Sequence, residues 1–154
     1  MTTGRDYPPS WAVLSGAEVT AELTTPQWSK KPVIELLGNR EGLLSLGSLL
    51  VWLSGSPSDT ESLSITGLSF VHARSSLSLT IVQSLDDDEP HGRLVRTDKA
   101  QQFQWLVHGE LLRREATNIM DVGFCPDGYC CEHTHGNLGP DSDVELFIAR
   151  TDME

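Results

Sequence analysis

The stretch that most limits the fold is Pro32 to Leu53, Pro-Val-Ile-Glu-Leu-Leu-Gly-Asn-Arg-Glu-Gly-Leu-Leu-Ser-Leu-Gly-Ser-Leu-Leu-Val-Trp-Leu. Its first part, Val33 to Leu37, is apolar except for Glu35, as expected of a strand covered by other structure. Gly38-Asn39 ends that run. Asn39 is a suitable N-cap, because its side-chain oxygen can accept an orphan amide of a first helical turn. Leu43, Leu46, Leu50 and Leu53 then recur at spacings of three and four, and Leu44, Leu49 and Val51 widen the stripe. A helix this apolar must pack hard against a sheet. Gly42 and Gly47 lower its intrinsic propensity, and close approach of another backbone would account for them. Gly55-Ser56-Pro57 stops the helix.

On the N-terminal side, residues 1–30 read as an arm broken by Pro8 and Pro9, with an edge strand over Ala17 to Thr24, where Val19, Ala21 and Leu23 alternate with Thr20, Glu22 and Thr24. On the C-terminal side the period changes to two. Leu63 and Ile65 alternate with Ser62, Ser64 and Thr66; Leu77, Leu79 and Ile81 alternate with Ser76, Ser78 and Thr80. These are two half-buried strands with one apolar face and one hydroxyl face, and the link around His72 to Ser75 suits a hairpin. Leu85-Asp86-Asp87-Asp88-Glu89-Pro90 is the clearest break. Beyond it, Arg93 to Arg96 reads as a strand. Thr97 or Asp98 can cap a second helix carrying Phe103, Leu106, Val107 and Leu111 on one face and closing at Arg113 and Arg114. Ile119 to Val122 and Val144 to Ile148 read as further strands.

Residues 31–154 therefore form a single α+β domain, with an antiparallel sheet and two helices packed on one face. Its two halves, 33–83 and 92–150, share the order strand, helix, strand, strand. Leu46-Gly47-Ser48-Leu49-Leu50 aligns with His108-Gly109-Glu110-Leu111-Leu112, and Leu77-Ser78-Leu79-Thr80-Ile81 with Val144-Glu145-Leu146-Phe147-Ile148. Tandem β-α-β-β units would explain the match; chance likeness of two amphipathic units is the alternative.

The formal net charge of −11 argues against a nucleic-acid ligand, which needs Lys and Arg to replace counterions. It suits a basic protein partner, although acidity also serves solubility alone. No apolar run reaches the roughly 18 residues of a membrane span, no apolar signal segment is visible near the start, and three cysteines do not make a secreted disulfide framework. A cytoplasmic location without membrane contact is the expectation.

Ile34-Glu35-Leu36-Leu37-Gly38-Asn39-Arg40-Glu41-Gly42-Leu43-Leu44-Ser45-Leu46 resembles the opening of bacterial polymorphic-toxin immunity proteins, specifically immunity family thirty-two. Glu132-His133-Thr134-His135 and Ser142-Asp143-Val144-Glu145-Leu146-Phe147-Ile148 resemble the family's ending. The resemblance covers residues 33–53 and 132–150, and the long stretch between them departs from the family's spacing. It implies a small α+β inhibitor that masks a toxin domain. It carries over no catalytic residue, so a protein that is not an enzyme is expected. Asp86, Asp87, Asp88 and Glu89, with Asp127 and Glu132 from the loop 121–143, are the candidate contacts; such a run could mimic a phosphate backbone towards a basic nuclease, while its ordinary role is a solvated loop.

One segment suggests other chemistry. Cys125, Cys130, Cys131, His133 and His135 crowd together in Cys-Pro-Asp-Gly-Tyr-Cys-Cys-Glu-His-Thr-His-Gly. Zinc takes four sulfur or nitrogen ligands in a tetrahedron, and Cys125, Cys130, His133 and His135 could supply them in a structural or regulatory zinc domain. The spacing matches no known finger, and buried cysteines are ordinary core residues. Cys131 with a histidine could form a nucleophile pair, but the acidic neighbours Asp121, Asp127 and Glu132 oppose a thiolate. Trp11, Trp28, Trp52 and Trp105 suit packing; Trp11 and Trp28 could alternatively be a lid over the core or an exposed contact patch.

Overall fold

The computed structural model describes residues 12–55, 62–84, 92–99, 101–124, 131–133 and 142–151. Two hairpins each feed a helix. β1 (Val19–Thr24) and β2 (Val33–Gly38) pair antiparallel and lead into α1 (Arg40–Ser54). β3 (Ser62–Ser64), β4 (Val71–Ala73) and β5 (Ser78–Ser84) follow. The second hairpin, β6 (Arg93–Arg96) and β7 (Gln102–His108), leads into α2 (Gly109–Phe124), then β8 (Cys131–His133) and β9 (Glu145–Arg150).

The expected α+β class is present. Its strands, however, form two mixed sheets instead of one antiparallel sheet: a first sheet ordered β4-β1-β2-β9-β8 and a second ordered β3-β5-β7-β6. Each contains parallel pairs, β2 with β9 and β1 with β4 in the first, β5 with β7 in the second. The chain therefore leaves the first sheet through α1 to reach β3 and β5 in the second. It returns from the second sheet through α2 to reach β8 and β9 in the first.

α1 begins and ends where its residues require. The Asn39 Oδ1 accepts the Gly42 N–H at 2.7 Å and the Glu18 N–H at 3.0 Å, and Nδ2 donates to the Gly16 carbonyl at 2.8 Å. One side chain thus caps the helix and ties down the strap before β1. Gly55 supplies the C-cap. Leu43, Leu46, Leu49, Leu50 and Leu53 are completely buried, each contributing about 1.5–3 kcal/mol of burial.

α1 and α2 run antiparallel and very close. A Cβ at Gly47 would collide with Met120 and lie 3.0 Å from the Ala116 carbonyl; at the other end of the contact, a Cβ at Gly123 would lie 3.2 Å from Leu43. The inner faces of both sheets join the helices in one core, with Val19, Ala21, Ile34, Leu36, Leu146 and Ile148 from the first sheet and Leu63, Leu79, Ile81, Leu94, Phe103, Trp105 and Val107 from the second.

Three local expectations are corrected. Residues 102–108 are a strand, not part of a helix capped by Thr97 or Asp98. Phe103, Trp105 and Val107 are buried at period two, and β5 and β6 pair with this strand on its two sides. The helix starts at Gly109 and includes Ile119 to Val122, read above as a strand. The link between β3 and β5 is no simple hairpin, because Val71–Ala73 crosses to pair with β1. β1 consequently lies inside the first sheet, between β4 and β2. The alignment of Val144–Ile148 with Leu77–Ile81 matches strands in equivalent places, since β5 and β9 each close a half and pair parallel with the other half's helix-feeding strand. The alignment of Gly47 with Gly109 does not: Gly47 is mid-helix and Gly109 opens α2.

Gly42 gives the sharpest test of this packing. A Cβ there would collide with the Glu18 carbonyl and approach Asn39 Oδ1 to 2.9 Å. Helix propensity alone favours alanine over glycine by about 1 kcal/mol. Gly42→Ala is expected to reverse that sign and cost about 2 kcal/mol or more, through overpacking and a disturbed cap. Urea unfolding midpoints measure it.

Candidate functional site

Most of the sequence-derived candidates, Asp86, Asp87, Asp88, Glu89, Cys125, Asp127, Cys130 and His135, lie outside the described residues. Glu132 and His133 belong to β8, at the edge of the first sheet, where Glu132 is in register with Ile148 and His133 with Phe147. Among the described residues, no three His, Cys, Asp or Glu side chains come together as metal ligands.

The described residues build a different surface. Alternation along the strands sends one set of residues in the first sheet to the core and the other to the outer face. Register then arranges the outer set in rows. His72, Thr20, Leu37 and Ala149 form one row across β4, β1, β2 and β9; Glu22, Glu35 and Phe147 form the next; Thr24, Val33 and Glu145 form the third. Most of these positions are half-buried, as expected of a sheet face that meets water. Val33 is the exception, fully buried yet outside the main core.

The β1–β2 connection is strapped along this face. Ser29 Oγ lies 2.9 Å from Glu145 Oε2 and 2.8 Å from the Lys31 carbonyl, so its single proton serves one of them; it also accepts the Lys31 N–H at 3.2 Å. Lys31 Nζ donates to the Ser142 carbonyl at 2.7 Å, and the Glu145 N–H donates to the Pro32 carbonyl at 2.9 Å. These bonds fix Trp28 against Phe147, with ring centroids 6.0 Å apart and planes inclined at 52°. Trp28 nevertheless remains 57% exposed. An amphipathic ring held in place at the surface is the form that hot-spot residues of protein interfaces take.

Glu22 and Glu35 stand directly opposite each other on β1 and β2, in the row of Phe147. Like charges at facing positions destabilise a strand pair. Neither carboxylate has an ion-pair or hydrogen-bond partner among the described residues. The face therefore combines two facing carboxylates with an aromatic pair.

Other unusual groups are less informative. Phe124 is 59% exposed and lies under the Arg40 guanidinium at 5.7 Å, while Arg150 donates to the Gly123 carbonyl at 3.1 Å. Both arginines offset the negative end of α2. In the core, Gln83 Oε1 and Trp105 Nε1 have no hydrogen-bond partner among the described residues.

Compared with models of known protein families, with curated proteins and with solved structures, the chain matches none.

The sequence signalled parts of this face. Glu35 is the single polar residue in an apolar strand, and Trp28 was readable as a contact patch. Only the register shows that Glu22 faces Glu35 and that Phe147 lies beside them. Relieving the repulsion gives a prediction: Glu35→Gln should raise stability by about 0.2–1 kcal/mol, with the gain shrinking as added salt screens the pair. Equal or lower stability, measured by urea unfolding at low and high salt, would contradict the unpaired like-charge reading.

Proposed function

We propose that the chain is a bacterial immunity protein, a stoichiometric inhibitor that binds a toxin domain in the cytoplasm and neutralises it. The observation that carries this reading is the strapped, 57% exposed Trp28 tilted against Phe147, on the outer face of the first sheet of a chain with net charge −11. The resemblance of residues 33–53 and 132–150 to immunity family thirty-two supports it. Such a protein works by covering its target, so neither a catalytic group nor a cofactor is required.

The physical logic is that of steered association. A strongly acidic inhibitor attracts a basic target and raises the encounter rate, while buried aromatic anchors slow dissociation. The backbone that presents the anchors is held by β1, β2 and β9, so little conformational freedom is lost on binding. The absence of any helix long and apolar enough to cross a membrane among the described residues is compatible with this role.

Co-expression with the toxin domain encoded beside its gene tests the reading. Cells carrying both are expected to survive, and the two chains to co-purify in one-to-one ratio. Cell death with no complex would contradict the immunity function.

A further inference from the structure

The outer face of the first sheet also specifies what kind of side chain it receives. We propose that the centre of this face, formed by Glu22, Glu35, Trp28 and Phe147, docks an arginine presented by the basic protein partner. This rests on the immunity reading above and adds the chemistry of the contact.

Three observations converge. First, Glu22 and Glu35 face each other across β1 and β2, so their Cβ atoms stand about 4.5–5.5 Å apart. One guanidinium inserted between them could donate to both carboxylates. Second, Phe147 occupies the next strand in the same row, roughly 4.8 Å further across the sheet, with Trp28 tilted over it. A guanidinium plane can lie on such an aromatic wall while its edge bonds the carboxylates. Third, neither carboxylate has a hydrogen-bond or ion-pair partner among the described residues. Facing carboxylates offer two acceptors to one cation from outside.

Arginine fits better than lysine for geometric reasons. Its five N–H donors lie in one plane and can span two acceptors, whereas an ammonium is a compact, strongly hydrated point charge. The chain already uses arginine on aromatic rings, with Arg96 over Phe103 at 5.4 Å and Arg40 over Phe124 at 5.7 Å.

The test uses the full chain and three blocked peptides, Gly-Arg-Gly-Arg-Gly and its lysine and citrulline counterparts, at physiological ionic strength. Proton–nitrogen NMR follows the indole N–H of Trp28, assigned by its loss in Trp28→Phe, and the amides of Glu22 and Glu35. The arginine peptide is expected to shift these signals saturably, the lysine peptide to bind about threefold or more weakly, and the uncharged citrulline peptide not to bind. Glu22→Gln/Glu35→Gln should weaken arginine-peptide binding by about tenfold or more. Asp98→Asn/Asp121→Asn, which removes the same charge elsewhere, should change it by less than about twofold. Shifts confined to other surfaces, or equal affinity in Glu22→Gln/Glu35→Gln, would overturn the assignment. The two proposals fail separately. If co-expression still protects cells but Glu22→Gln/Glu35→Gln keeps its peptide affinity, the arginine site is wrong and the immunity role stands. If the peptide binds as expected and co-expression gives neither protection nor complex, the site stands and the immunity role is wrong.

Discussion

The antiparallel contact between α1 and α2 is the constraint on which the remaining structure depends. Gly47 and Gly123 let the two helices approach until side chains meet backbone. Each helix carries the chain from one sheet to the other, so their spacing sets where the returning strands arrive. β9 must land beside β2, and β5 beside β7, for either sheet to be completed. Neither half can close its own sheet. The hairpin of each half waits for the last strand of the other, and non-local parallel pairing of this kind depends on a precise crossover.

This reciprocity explains what could be read from the chain and what could not. α1, its Asn39 cap and its Gly55 stop follow from local chemistry, and the structure contains all three. The period-two strands at Leu63, at Leu79–Ile81 and at Leu146–Ile148 were visible for the same reason. β7 does not follow from local pattern, because Phe103, Leu106, Val107 and Leu111 fall at helical spacing across a strand–helix junction. The period-two set Phe103, Trp105 and Val107 prevails because β5 and β6 flank that strand and the core covers its inner face. β4 has no local signature, because its partner, β1, is remote in sequence. The division into two sheets is a matter of which strands meet, and no local pattern encodes that.

The candidate site was legible in pieces. A lone glutamate in an apolar strand, a glutamate in an alternating one and a tryptophan between two prolines each have ordinary explanations. Together they make a row in which two facing carboxylates border Phe147, with the exposed Trp28 tilted against it. Local rules are broken most often where a surface serves a purpose other than folding. The outer face of the first sheet is such a place, whereas the outer face of the second carries the mild series Ser64, Thr80, Gln104 and Val95.

A surface of this kind depends on a scaffold that does not open piecemeal, and interlocked halves provide one. Native-state hydrogen exchange in low denaturant tests this most directly, because it reports the opening free energy of each strand separately. The central amides of β2 and β9 in the first sheet, and of β5 and β7 in the second, are expected to exchange with one common free energy and one denaturant dependence. Exchange of β5 and β7 through a smaller opening that leaves β2 and β9 protected would show that the sheets are independent, and would contradict the account.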